Sequence, residues 1–209
     1  MTTRLRVEAD RLDADALARA VEVLRSGGLV AYPTDTVYGI AADPRSDLAV
    51  ERVFALKNRD PGTAVPLIAS DTEQAMAAGE FGPRELRLAE AFWPGPLSIV
   101  VPAKPVLSRA VMGERDSIAV RVPAHAVARG LATAFGFCIT ATSANPSGAA
   151  PAEAGDRVIE ILPGVDLVLD AGRAPGGLPS TIVALEDDGP VLVRAGAIAW
   201  DRVIKLLAQ

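Results

Sequence analysis

The longest apolar runs in this chain, such as Leu97–Val101 and Phe137–Ala141, are no longer than a β-strand, and polar segments rich in Gly and Pro separate them. A chain cut this way must alternate short strands with helices to bury its apolar side chains. Asp13 or Asp15 caps a first helix that places Leu17, Val21 and Leu24 on one face and stops at Gly27-Gly28. A second helix over roughly 47–57 turns Val50, Val53 and Phe54 inward. Pro83 opens a helix that runs to Phe92 or Trp93 and is broken by Pro94-Gly95-Pro96. Further helices are expected over 71–78, 124–135, 153–162 and 200–207, and strands over 29–32, 67–69, 97–101, 117–122, 137–142, 165–169, 181–185 and 191–194. No internal repeat or low-complexity linker interrupts the series, so one α/β domain over 1–209 is expected, with its core at about 13–196 and a C-terminal helix at about 200–208.

Composition narrows the functions. Aromatic residues are 4% of the chain against 50% hydrophobic, so Ala, Val, Leu and Ile must fill the core. The net charge is −5, which disfavours a protein that grips nucleic acid with its whole surface. Cys138 is the only cysteine and cannot form an internal disulfide, which fits a reducing compartment. Arg4, Glu8 and Asp10 precede no apolar leader-like segment, and no run approaches membrane-spanning length. A cytoplasmic protein with no membrane partner is expected. His125 is the only histidine, which excludes multi-histidine and Cys-rich zinc sites and leaves Ser-His-Asp chemistry a single candidate residue.

Positive charge must act locally. In the strand Ser117–Val122, Ile118, Val120 and Val122 share one face, and Ser117 and Arg121 share the other. An arginine inside an apolar strand requires either a bound anion or a neighbouring carboxylate. Arg194 poses the same alternative at the end of Val191-Leu192-Val193. Lys57 and Arg59 stand at a helix C-terminus, where the dipole alone favours cations. Three hydroxyl-rich segments leave strands: Pro33–Gly39, Thr140–Gly148 and Gly176–Thr181. Such exits line anion sites or form ordinary turns. Together with the cations they point to one anionic, hydroxyl-bearing ligand in a cleft at the strand ends.

The motifs P-T-D-T-V-Y-G at 33–39, K-N-R at 57–59, W-P-G-P-L-S at 93–98, A-V-R-V-P at 119–123, T-S-A-N-P-S-G at 142–148, P-S-T-I-V at 179–183 and V-R-A-G at 193–196 occur in this order. The set resembles the YrdC/TsaC family of threonylcarbamoyl-AMP synthases over nearly the whole chain. The resemblance implies a twisted mixed sheet flanked by helices, with a concave, positively lined cleft. It also implies a nucleotidyltransferase that joins L-threonine, bicarbonate and ATP into threonylcarbamoyl-AMP with release of pyrophosphate, Mg²⁺ assisting. Partner proteins then transfer the threonylcarbamoyl group to tRNA, and direct contact with RNA is a further expectation.

Carried across position by position, the resemblance implies that Lys57 and Arg59 are the catalytic pair and contact the ATP phosphates. Ser117, Ser143, Asn145 and Arg194 complete the ATP site. Thr34, Arg121, Ala141 and Ser180 form the threonine site, with Arg121 on the carboxylate. Thr34 and Ser180 supply hydroxyls that separate threonine from valine, which an apolar pocket does poorly. This chain departs from the family pattern at Thr63, where many relatives have lysine, and at Ala152 and Ala195; the first departure implies weaker ATP binding. Two other readings stay open at this level: a diverged YrdC-fold paralogue serving another carbamoylation, and a double-stranded RNA-binding module.

Overall fold

Short polar side chains decide where the helices begin. Asp13 accepts the Ala16 N–H at 2.9 Å, Ser46 that of Ala49 at 3.3 Å, and Asp71 that of Gln74 at 2.8 Å. The computed structural model describes residues 2–11 and 13–208. In chain order the elements are β1 (Thr3–Arg6), α1 (Ala14–Arg25), β2 (Val30–Tyr32), β3 (Gly39–Ala41), α2 (Asp47–Lys57), β4 (Leu67–Ile68), α3 (Thr72–Ala78), α4 (Pro83–Phe92), β5 (Leu97–Pro102), α5 (Arg109–Met112), β6 (Ser117–Arg121), α6 (Ala126–Phe135), β7 (Ile139–Thr140), β8 (Thr142–Ser143), α7 (Gly155–Ile161), β9 (Leu167–Asp170), β10 (Thr181–Glu186), β11 (Gly189–Arg194) and α8 (Trp200–Leu207).

The mixed α/β class holds, and the strands divide between two sheets. One has the order β1-β9-β2-β3-β8 and the other β11-β10-β5-β6-β4-β7. Both mix parallel and antiparallel neighbours: β2 lies parallel to β9 and antiparallel to β3, and β5 parallel to β10 and antiparallel to β6. The division falls at Ala141. The strand expected over 137–142 gives 139–140 to the larger sheet, beside β4, and 142–143 to the smaller, beside β3. Ala141 stands at the crossing, and its N–H donates to Pro66 O at 2.7 Å.

Alternation along β2 shows how both faces of the smaller sheet are buried. Val30 and Tyr32 join the larger apolar core with Leu17, Leu24 and Ile99, whereas Leu29 and Ala31 join a second core with Ile40, Val53 and Val158. A fully buried aliphatic side chain contributes about 1.5–3 kcal/mol relative to exposure, so the many small aliphatics stand in for scarce aromatics. The sheet also begins earlier than the core expected from 13 onward. β1 pairs in parallel with β9, and Arg4 Nε donates to the buried Asp170 at 2.6 Å. β1, β3 and α5 carry too few residues for a periodic signal, and all three escape a reading by pattern. Among the described residues no helix is long and apolar enough to cross a membrane.

Candidate functional site

A cavity of about 990 Å³ opens between the two sheets. Its first wall is the face of the larger sheet. Ser98 and Val100 of β5, Ser117, Ala119 and Arg121 of β6, and Ile182 and Ala184 of β10 all line it, every second residue along each strand. The register explains this arrangement: Ser98 lies beside Ile182, and Val100 lies beside both Ala184 and Ala119. Ile118, Val120 and Val122 are buried in the core, as the alternation predicts, although Ile118 also borders the cavity. The second wall is made of loops and the two-residue β8, with Thr34, Arg59, Thr63 and Ala141 from the loops and Thr142 and Ser143 from β8 among its residues.

Arg121 meets the carboxylate half of its alternative. One Nη donates to Asp35 Oδ1 at 2.8 Å, and the two side chains are 9% and 14% exposed, so this is a largely buried ion pair. The residue also lines the cavity, and its other nitrogens have no acceptor among the described residues. Asp35 therefore holds the fork at one corner and leaves its other N–H groups free of a protein acceptor beside the cavity. Arg194 reaches back to the neighbouring loop: Nε and Nη2 donate to Ser180 O at 3.1 and 2.8 Å, and Nη2 lies 2.8 Å from Ser180 Oγ. Ser180 Oγ is in turn 3.0 Å from Ser98 Oγ. Thr34 is buried at the cavity edge, its hydroxyl donating to Val37 O at 2.6 Å and accepting from Thr36 N–H at 3.2 Å.

Arg59 follows Asn58, whose left-handed backbone (φ +49°) ends α2 and swings the chain out of the helix. Its guanidinium donates to Thr142 Oγ1 at 3.1 Å and Ala64 O at 2.8 Å, which fixes it in the loop wall. Lys57 and Asn145 are placed otherwise than expected. Neither belongs to the cavity lining. The Lys57 side chain, 2% exposed, runs behind the loop, where Nζ donates to Ser143 O and, at 2.6 Å, to Asn145 O. Lys57 O also accepts the Ser147 N–H at 2.7 Å. Asn145 Nδ2 donates to Pro146 O and Ala149 O, each at 2.8 Å. The physical reason is plain: α2 ends beneath the loop, and a buried ammonium takes the nearest unpaired carbonyls. Both residues brace the strand exit that holds Ser143 in the wall.

Burial shapes the charges. Removal from water, with Arg59 beside it, brings the Lys57 ammonium down to about 8. Burial also lowers Arg59, and Arg194 falls through burial and then repulsion from Arg121. The lining holds four arginines, namely Arg59, Arg115, Arg121 and Arg194, against one carboxylate, Glu186. Only Arg121 among the four has an ion-pair partner among the described residues. A half-enclosed surface with this balance attracts anions. Among the described residues no group of three or more His, Cys, Asp and Glu side chains is placed to hold a metal. His125 lies outside the lining, and its buried Nδ1 lacks a hydrogen-bond partner.

Pattern reasoning about single residues missed Ser98, Asp35, Tyr32 and Arg115. Ser98 had a signal: it precedes Val100 by two on one strand, inside the quoted W-P-G-P-L-S. Asp35 stands in the middle of P-T-D-T, but its partner is 86 residues away. Tyr32 reads as core and is core, with Oη donating to Thr140 O at 3.0 Å beneath the cavity.

The chain can be set beside known proteins on this geometry. The family model Sua5_yciO_yrdC, described as "Telomere recombination", matches residues 22–196. A threonylcarbamoyl-AMP synthase of Pyrococcus abyssi is 34% identical over 202 residues, covering 96% of this chain and 59% of that protein. One of Halorhodospira halophila is 43% identical over 156 residues, covering 69% and 81%. The crystal structure of P. abyssi Sua5 complexed with L-threonine superposes with a TM-score of 0.90 at 33% identity, covering 99% of this chain and 60% of that one. The chain thus spans about three-fifths of the Pyrococcus protein.

Proposed function

This chain belongs to the Sua5/YciO/YrdC family, and on that footing we propose that it is a nucleotidyltransferase making threonylcarbamoyl-AMP from L-threonine, bicarbonate and ATP, with release of pyrophosphate. One observation carries the reading. Four guanidinium groups with a single carboxylate among them converge, with Thr34, Ser98, Ser117, Ser143 and Ser180, on one hollow. The relative whose structure holds L-threonine supports an amino acid as one occupant, and the named synthases support ATP as the other.

In this reading Arg121, steadied by Asp35, takes the threonine carboxylate, and Thr34 and Ser180 meet the substrate at the same end, beside Ala141. The threonine amine adds to CO₂ with loss of a proton, or to bicarbonate with loss of water, to give a carbamate. A carbamate oxygen then attacks the α-phosphorus while the bond to the β-bridging oxygen breaks, and pyrophosphate leaves with that electron pair. No protein nucleophile is needed. The chain's task is alignment and charge: arginines offset the repulsion between two anions, and holding the reactants in line lowers the barrier by up to about 7–11 kcal/mol in favourable intramolecular cases. Arg59, Ser117, Ser143 and Arg194 serve the nucleotide. Lys57 and Asn145 serve it through the loop they brace. With one carboxylate in the lining, a Mg²⁺ accompanying ATP would take its ligands chiefly from phosphate oxygens and water. The product is a labile mixed anhydride, so a tRNA-modifying threonylcarbamoyl transferase is the fitting partner, in the cytoplasm.

The test is pyrophosphate release with each co-substrate omitted in turn. Release that requires ATP, threonine and bicarbonate together is the expected result. ATP turnover indifferent to threonine would replace this reading with a paralogue's activity. No turnover, with salt-sensitive binding of RNA duplexes, would replace it with a binding module.

A further inference from the structure

Three of the four arginines in the lining are committed to protein groups: Arg121 to Asp35, Arg194 to Ser180, and Arg59 to Thr142 and Ala64. Arg115 is the fourth. Among the described residues its guanidinium has neither a hydrogen bond nor an ion pair; only its backbone N–H is engaged, with Met112 O at 3.4 Å. Carboxylates flank it in the chain, yet neither takes it. Asp116 pairs with Arg109, and Glu114 lies against the turn at Gly62, where an added Cβ would stand 3.5 Å from Oε1. Glu186 stands on β10, two strands across the sheet from β6 and so about 10 Å away.

Two observations place this free cation. Ser117 and Arg121 are the ends of β6, about 13 Å apart at the rise of a strand. Arg115 precedes Ser117 by two residues and so sits at the end of the cavity remote from Arg121. Its loop is also joined to the turn that follows Arg59. Val65 N–H donates to Val111 O at 2.8 Å and Glu114 N–H to Gly62 O at 3.3 Å. Gly113, at φ +63°, presses so close that a Cβ there would lie 2.4 Å from Gly62 O. Arg115, Thr63 and Arg59 therefore flank one end of the cavity on two loops that are hydrogen-bonded to each other.

We propose that Arg115 is a further substrate-binding residue, which grips the terminal phosphates of ATP and then the departing pyrophosphate. This rests on the nucleotide reading above and adds to it. With the amino acid at the Arg121 end, the α-phosphate lies between the substrates and the β- and γ-phosphates extend toward Arg115 and Arg59. Charge grows on the β-bridging oxygen as its bond to α-phosphorus breaks, so a cation there assists departure. An arginine with no protein acceptor gives up only water before it closes on phosphate, and its planar fork takes two oxygens at once.

Isothermal titration of the wild type, Arg115→Ala, Arg115→Lys and Arg115→Glu with ATP, AMP and inorganic tripolyphosphate tests this. Arg115→Ala should weaken ATP and tripolyphosphate by about tenfold, Arg115→Glu by more and Arg115→Lys by less. AMP and threonine affinities should stay within about twofold, and the thermal midpoint should barely move because the exposed side chain gives up no hydrogen bond or ion pair. Equal losses for ATP and AMP, or no loss for either polyphosphate, would overturn the assignment. A wild type that binds tripolyphosphate through Arg115 but does not bind ATP would overturn the nucleotide reading and keep Arg115 only as a polyphosphate-binding residue. A wild type that binds neither overturns both.

Discussion

The two walls of the cavity hold their polar groups by different means. On the sheet wall, Ser98, Ser117 and Arg121 are alternate members of strands whose backbone is paired on both sides. On the loop wall, Ser143 ends the two-residue β8, and the loop that leaves it depends on one buried ammonium and on the Asn145 amide. Strand register presents a side chain whatever the neighbouring side chain is. A loop presents one only while its carbonyls are satisfied. Substitutions in the sheet wall, outside the buried Arg121–Asp35 pair, should therefore change binding, whereas those beneath the loop wall should change binding and stability together.

The largest effect is expected at Lys57. Lys57→Met leaves the Ser143 and Asn145 carbonyls without their donor in a buried position. Stability should fall by about 2–3 kcal/mol, which is about 5–10 °C in the midpoint of a thermal melt for a chain of this size. Threonylcarbamoyl-AMP synthesis should fall by about a hundredfold or more. An unchanged melt would break the contrast between the walls. Next is Arg121→Ala, which should raise the threonine KM by about a hundredfold while moving the ATP KM by less than about threefold. Equal changes in both would remove Arg121 from the carboxylate. Asp35→Asn leaves the guanidinium in place and loosens it, so a rise of about tenfold in threonine KM alone is expected, against none if Asp35 serves only folding.

Titration sharpens the same contrast. Lys57 has a folded-state value of about 8 against 10.5 for the free side chain. Its native value lies below its unfolded one, so between those pH values the unfolded chain binds more protons. The contribution of this group to stability therefore rises with pH across that window and is lost as pH falls through about 8. Urea midpoints of the wild type, read against Lys57→Met from pH 7.5 to 10.5, should climb relative to the variant; a flat difference would refute the burial of the charge. The smallest effect is expected at the rim. Thr63→Lys adds a cation beside Arg59 and Arg115, and should lower the ATP KM by about twofold to fivefold, with the effect fading at high salt.

Much of the architecture was legible from periodicity. Leu17, Val21 and Leu24 announced α1, Pro83 and the Pro94-Gly95-Pro96 break bounded α4, and α8 lies where its pattern put it. These are local signals, decided by side chains three and four residues apart. Ser117 and Arg121 were assigned to a common face by a period of two, and they share the cavity. The break at Ala141 carried no such signal, because the residues on either side are equally good strand formers and only the partner strands differ.

The amino-acid sequence alone determined the alternation of helices and strands, the aliphatic core, the sidedness of β6 and the ordered motifs that mark the family. Tertiary structure decided which charges meet. Arg121 finds Asp35 across 86 residues, Lys57 turns to carbonyls as many as 88 residues away, and Arg115 alone among the lining arginines finds no protein partner among the described residues. The physical reason is that periodicity is set by the geometry of neighbouring peptide units, whereas an ion pair depends on distances fixed only after both sheets have packed.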